Sequence, residues 1–73
     1  MKASKVEKCP KKAQLLGWSS GKRPNEEDVY AILLKFEKQI YVDFGEQEGI
    51  VELSDIPEKT TPRKLISAAA KVL

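Results

Sequence analysis

The stretch QIYVDFGEQEGIVELSDI, residues 39–56, decides the fold, because it has the pattern of two strands joined by a turn. The apolar residues of IYVDF alternate with polar or aromatic ones, and side chains of a strand point alternately to its two faces. Two glycines enclose the polar tip and can adopt the positive φ angles of a tight hairpin. We therefore predict that residues 40–44 pair antiparallel with residues 49–54, with Gly45 to Gly49 at the turn.

The segment before this hairpin, residues 26–39, fits either a helix or a strand. As a helix it would be capped by Asn25, and the three acidic residues that follow would occupy its positive first turn. As a strand it would be apolar on both faces, with Tyr30 and Ile32 on one of them, which is typical of a strand buried on both sides. The adjoining hairpin favours the strand, and we adopt that interpretation.

The C-terminal part has the signals of a short helix. Pro57 ends the second strand of the hairpin. Thr61 has the chemistry of an N-cap, and Pro62 suits the first helical position, where its missing N–H costs nothing. We predict a helix that begins at Pro62 and packs on the sheet through one apolar face formed by Leu65, Ile66 and Ala69.

The chain of 73 residues has room for one small domain. Residues 1–12 are polar and rich in lysine, and we predict a flexible basic arm there, followed by a single binding domain over residues 13–73. The apolar run AQLLGW, residues 13–18, is a short strand or a segment that covers an open sheet edge. Residues 19–25, SSGKRPN, have the composition of a loop.

The run VDFGEQEGIVELSDI, residues 42–56, resembles the S-one RNA-binding domain, an OB-fold module. That family has a Gly-aromatic-Val-Asp-Leu-Gly strand followed by Glu-Gly-Leu-Val-His-Ile-Ser-Glu. This chain has Gln39 in place of the first glycine and Glu52 in place of the histidine. A weaker likeness, to Tudor domains, rests on Asp43–Gly45 and Ser54–Ile56. The positions that match the S-one pattern are Tyr41, Val42, Asp43, Gly45, Glu48, Gly49, Ile50, Val51, Leu53 and Ser54.

Together these patterns predict a mainly β fold with a C-terminal helix, a small α+β protein. The sheet is expected to be an antiparallel meander or a partly open barrel of OB or SH3-like type. What the resemblance implies about function is binding of RNA or of a single-stranded nucleic acid.

The composition favours a binding protein over an enzyme. The chain has no histidine, the commonest general base, and its lone Cys9 can form neither an intrachain disulfide nor a zinc site. We expect no catalytic activity, no metal and no cofactor. No apolar run approaches the ~20 residues of a membrane span. An unpaired cysteine and the lack of a signal-peptide pattern favour the reducing cytoplasm.

Charge is unevenly distributed, at +6 over residues 1–24, −7 over residues 25–56 and +3 over residues 57–73. Lysine and arginine neutralise phosphates, so the basic N-terminal part is the candidate nucleic-acid contact. Aromatic residues can stack bases or be buried; we expect Phe44 and Trp18 in the core and Tyr41 at the binding surface. The candidate nucleic-acid-binding residues are Lys2, Lys5, Lys8, Lys11, Lys12, Lys22, Arg23 and Tyr41.

The acidic middle of the chain supports an alternative function. Acidic residues near the hairpin would repel phosphate but suit a larger, basic protein partner. An open strand edge would offer such a partner a second means of docking. The residues of this alternative protein-partner site are Glu46, Glu48, Glu52 and Asp55.

Overall fold

A computed structural model describes residues 1–73 as five strands followed by one helix. The sheet is antiparallel throughout, with the strand order β1-β5-β4-β3-β2, and it is not closed into a barrel. The predicted mainly β fold with a C-terminal helix is therefore confirmed. The elements are β1 (Lys2–Val6), β2 (Gln14–Lys22), β3 (Asp28–Phe36), β4 (Gln39–Asp43), β5 (Ile50–Ser54) and α1 (Pro62–Ala70).

The hairpin predicted from the central stretch is present. Val42 of β4 pairs with Val51 of β5, and both side chains are fully buried. The turn is closed by two hydrogen bonds, in which the Phe44 N–H donates to the Gly49 carbonyl and the Gly49 N–H to the Gly45 carbonyl. Gly45 and Gly49 both take positive φ angles, 102° and 99°.

The ambiguous segment forms a strand, β3, but it is buried on one face and not on both. Val29, Ala31 and Leu33 point into the core, whereas Tyr30 and Ile32 are exposed on the other face. The turn into β4 lacks glycine and asparagine, so Glu37 itself takes a positive φ of 57°. Pairing with strands on both sides therefore prevails over the helix-capping signals at the start of this segment.

The flexible arm predicted for residues 1–12 is wrong for residues 2–6, which form the edge strand β1 beside β5. The alternation explains why a lysine-rich segment can pair: Ala3 lies opposite Leu53 and packs against the core, while polar neighbours remain exposed. The predicted loop at residues 19–25 is wrong for residues 19–22, where β2 continues. The turn is confined to residues 23–26, in which the Glu26 N–H donates to the Arg23 carbonyl.

One face of the sheet is covered by α1. Thr61 caps the helix through its side chain, which accepts a hydrogen bond of 3.3 Å from the Lys64 N–H, and Pro62 is the first helical residue. Leu65, Ile66 and Ala69 are buried against the sheet, as predicted. With nine residues, α1 is too short to cross a membrane, and the fold has no other helix.

The opposite face, here called the outer face, is covered only in part. β1 and β2 are the two edge strands, so the connection between them, residues 7–13, must pass from one edge to the other. Tyr41 points to this face, because its neighbour Val42 points into the core, and yet Tyr41 is only 7% exposed. Glu7, at the start of this connection, lines one cavity together with Asp43 of β4, and Cys9 is one of the smaller causes that raise the pKa of Tyr41. The connection, called the crossing segment below, therefore passes over the middle of β4.

Candidate functional site

The predicted nucleic-acid cations do not gather on one surface. Lys2 and Lys5 belong to β1, where their spacing of three places them on opposite faces. Lys2 lies 3.8 Å from Asp55, and Lys22 lies 2.9 Å from Asp28. The other predicted cations are Lys8, Lys11 and Lys12 in the crossing segment and Arg23 in the turn after β2.

Lys22 and Arg23 are engaged within the protein. The Lys22 ammonium holds the pKa of Asp28 below its usual value, first by hydrogen bonding and then by its charge. The Arg23 guanidinium pairs with Glu48, which joins the β2–β3 turn to the β4–β5 turn. A phosphate at either cation would therefore have to compete with a carboxylate that is already in place.

Tyr41, predicted to stack on a base, does not face solvent. Its hydroxyl donates a hydrogen bond of 2.8 Å to the Glu52 carboxylate on β5. This bond is the largest cause that raises the pKa of Tyr41 to about 12, and burial adds to it, because both favour the neutral phenol. Tyr41 is therefore a structural residue beneath the crossing segment, and its assignment to the binding surface is wrong.

The four predicted protein-contact carboxylates are also dispersed. Glu48 pairs with Arg23, Glu52 accepts from Tyr41, and Asp55 pairs with Lys2. Glu46 is exposed at the tip of the β4–β5 turn. These residues hold neighbouring elements together and do not form a single acidic face.

The uncovered part of the outer face carries the largest exposed apolar side chains of the sheet. Trp18 is 73% exposed and Tyr30 is 64% exposed, and their ring centroids are 6.2 Å apart with the ring planes inclined at 54°. Ile32 lies directly opposite Trp18 on the neighbouring strand. We call the following set of exposed residues on β2 and β3 the open platform: Leu15, Trp18, Tyr30 and Ile32.

The platform faces outward because small residues alternate with it along β2. Gly17, Ser19 and Gly21 share the other face of the strand, and α1 packs on this face at Gly21. A Cβ atom on Gly21 would lie 2.8 Å from the Ile66 Cγ2 and 2.9 Å from the Ser67 backbone nitrogen, so the helix rests directly on the backbone there. A side chain at position 21 would overlap α1, whereas Trp18 lies on the opposite, uncovered face of the strand.

The sequence predicts Trp18 in the core, and this prediction is wrong: its exposure is the main feature of the site that the sequence does not predict. A usable signal is present in GWSSG, residues 17–21, where small residues recur at every second position. Such spacing marks the face of a strand on which another element packs closely. The loop composition of residues 19–25 masks this signal.

A groove of about 450 Å³ borders the platform, between β2 and the first turn of α1. Its floor and walls are largely apolar and include Leu33, Ile40 and Leu65. Trp18 belongs to this groove as well as to the platform. Lys35 and Lys59 are its charged lining residues, and no carboxylate lines it.

Comparison of the chain with protein-family models, with curated proteins and with solved structures finds no match. Within the structure, no group of three or more histidine, cysteine, aspartate or glutamate side chains is arranged to hold a metal ion. The platform, the groove and the charges around them are the features of the molecule that indicate a function.

Proposed function

We propose that the protein is a non-catalytic binding module that docks a partner protein on the open platform. The observation that carries this proposal is the exposure of Leu15, Trp18, Tyr30 and Ile32 on the uncovered part of the outer face, where Trp18, Tyr30 and Ile32 line one cavity. Contiguous apolar surface of this kind is typical of interaction sites. The proposed setting is the cytoplasm, where the unpaired Cys9 would stay reduced.

The residue types support a protein partner. Tryptophan and tyrosine are enriched among the residues that dominate protein–protein binding energies, because they bury a large area with few rotatable bonds. Burial of a large apolar side chain that was exposed contributes roughly 1.5–3 kcal/mol. Burial of Trp18, Tyr30 and Ile32 under a partner would therefore stabilise the complex.

The charges near the platform also favour a protein over a nucleic acid. The ion pair of Lys22 and Asp28 lies at one end of β2 and β3, and Asp43 lies beside Ile32 on the neighbouring strand. Lys22 is thus neutralised, and Asp43 would repel a phosphate. An apolar centre with a partly charged rim is the usual composition of a protein interface.

The test is site-specific photo-crosslinking in an extract of cells that contain the native protein. A benzophenone amino acid replaces Tyr30 on the platform in one variant, and Lys71, beyond the end of α1, in the control variant. We expect a defined protein adduct from position 30 that is absent from position 71 and is lost on Trp18→Ser. The same adducts from both positions, or none from position 30, would refute the proposal.

A single-stranded nucleic acid is the second candidate, and the paired rings of Trp18 and Tyr30 are the observation that favours it. Exposed aromatic rings on a sheet can stack bases, each worth roughly 1–3 kcal/mol. Lys11 and Lys12 are exposed, form no ion pair and immediately precede β2. The resemblance of residues 42–56 to the S-one domain is consistent with this second proposal.

Trp18 is the only tryptophan, so its fluorescence reports directly on this second candidate. Titration with a single-stranded RNA oligonucleotide at about 50 mM salt should quench the emission, because a stacked base replaces water. Replacing Lys11 and Lys12 by glutamine should weaken binding and flatten its salt dependence, whereas Lys71→Gln should have little effect. An unchanged emission would remove the nucleic-acid candidate and leave the protein partner.

A further inference from the structure

We infer that the groove between β2 and the first turn of α1 binds an extended, acidic segment of the partner protein by strand addition. This inference rests on the proposed function, since it names the chemistry of the partner beside the platform. It is carried by three features of the same place: free backbone groups on β2, an apolar groove next to them, and two unpaired lysines in the groove lining.

The free backbone groups follow from the hydrogen bonding of β2. In an antiparallel pair, successive residues direct their N–H groups alternately toward the partner strand and away from it. The Arg23 N–H donates to the Glu27 carbonyl of the facing chain. The N–H groups of Lys22, Ser20 and Trp18 must therefore point away from β3, toward the open edge.

The structure closes this edge at one end and leaves it open in the middle. The Lys22 N–H donates a hydrogen bond of 3.0 Å to the Ser67 hydroxyl of α1. No residue of the chain accepts a hydrogen bond from the N–H groups of Trp18 or Ser20, because β2 has no neighbouring strand on that side. Exposed strand edges of this kind accept an additional strand.

The length of the open edge favours a short segment over a second copy of the whole strand. Toward its start, β2 is interrupted by an irregularity in register between Leu15 and Gly17. Toward its end, Ser67 and the helix occupy the edge. The stretch around Trp18 to Ser20 lies between these two ends, and its length suits a short extended peptide.

The groove selects for charge as well as for shape. Lys35 and Lys59 line it, neither takes part in an ion pair, and no aspartate or glutamate lines it. The apolar walls suit the side chains that an extended peptide directs to one face. A segment that alternates apolar and acidic residues would satisfy the backbone edge, the apolar walls and the two lysines together.

The direct test uses a hexapeptide that alternates valine and glutamate, with a valine–lysine hexapeptide as the matched control. Amide chemical shifts of the nitrogen-15-labelled protein are followed during titration. We expect saturable shifts at Trp18, Ser19 and Ser20 with the acidic peptide and none with the basic one. No shift at these amides at millimolar peptide, or equal shifts with both peptides, would overturn the inference.

Charge reversal tests the role of the two lysines. Lys35→Glu combined with Lys59→Glu should weaken the acidic peptide by about tenfold or more, since two attractions become repulsions. The control, Lys38→Glu with Lys71→Glu, makes the same change in net charge outside the groove and should alter affinity little. Equal losses in both double variants would show that net charge, and not the groove, attracts the peptide.

Failure of this inference is distinguishable from failure of the proposed function. Tyr30 belongs to the platform and does not line the groove. If Tyr30→Ser abolishes capture of the partner but leaves peptide binding unchanged, both proposals stand. If the partner is captured while the peptide fails to bind, only the groove inference is wrong.

Discussion

Tyr41 and Tyr30 lie on the same face of one sheet, on neighbouring strands, and their environments are opposite. Tyr41 is 7% exposed and hydrogen-bonded to Glu52, whereas Tyr30 is 64% exposed. The two strands have similar apolar patterns, so residue type does not explain the difference. The crossing segment explains the difference in exposure, because it covers the middle of β4 and leaves β2 and the start of β3 uncovered. The β4–β5 half is thus packed on both faces, and the β2–β3 half leaves one face uncovered.

Truncation of a core side chain in the β4–β5 half should give the largest loss of stability. Leu53 on β5 is fully buried, so Leu53→Ala removes buried methyl groups and leaves a cavity, at a cost of about 2–5 kcal/mol. Ile32→Ala on the platform should cost well under half as much, because Ile32 is 44% exposed. Urea unfolding of both variants measures the difference. Similar losses would contradict the contrast between the two halves.

Gly21→Ala should give the next largest loss of stability, because Gly21 lies where α1 packs on the inner face of β2. The new methyl group would overlap Ile66 and the Ser67 backbone, and overpacking of this kind costs about 1–3 kcal/mol. Ser20→Ala is the control, since Ser20 lies on the outer face of the same strand. If Gly21→Ala unfolds at the same urea concentration as the parent, α1 does not pack on this glycine.

Tyr41→Phe should cost about 1–3 kcal/mol, because it removes a hydrogen bond to a carboxylate in a buried place. Tyr30→Phe on the platform is the matched control and should leave the free energy of unfolding nearly unchanged. The measurement is chemical denaturation near neutral pH. An equal effect at both positions would mean that the crossing segment does not shield Tyr41.

The same hydrogen bond predicts a pH dependence. The folded pKa of Tyr41 is about 12, above the ordinary value of 10.0, so the folded state favours the protonated phenol. This contribution to stability is fully present below the unfolded pKa and is lost as pH rises through the folded pKa. In the Tyr30→Phe variant, Tyr41 is the sole tyrosine, and its ultraviolet titration should have a higher midpoint in the folded chain than in urea.

The smallest expected effect concerns the ion pair that links the two halves. Arg23 and Glu48 are partly shielded, so a double-mutant cycle to alanine should give a coupling of about 0.5–1 kcal/mol. Lys2 and Asp55 are almost fully exposed, and their coupling should be near zero and vanish in salt. A larger coupling energy for Lys2 and Asp55 than for Arg23 and Glu48 would contradict this prediction.

The sequence predicted those parts of the fold that are encoded locally. The β4–β5 hairpin follows from two glycines and alternating apolar residues, and α1 follows from Thr61 and Pro62. β1 could not be predicted in this way, because a lysine-rich segment becomes a strand only when β5 offers it an edge. Its pairing is a tertiary interaction, and no local pattern specifies it.

The candidate site was harder to predict than the fold, and the reason is visible at Trp18 and Tyr41. Which of two apolar strand faces is buried depends on what crosses over them. The crossing segment covers Tyr41, and no sequence pattern within residues 7–13 predicts that it runs over β4. The sequence shows where the cations lie along the chain, but their ion-pair partners are set by the tertiary fold.

The pairing of β1 with β5 also has a consequence for the order of folding. The residues that meet across this pair are 44 to 52 positions apart along the chain, whereas each strand from β2 to β4 pairs with the next strand in the sequence. Closing so long a loop costs more chain entropy than closing a hairpin, and contacts of that kind form late. The four-strand meander should therefore assemble first and β1 join it last. The same strand should open first in the native protein, so its amide hydrogens should exchange faster than those of β4.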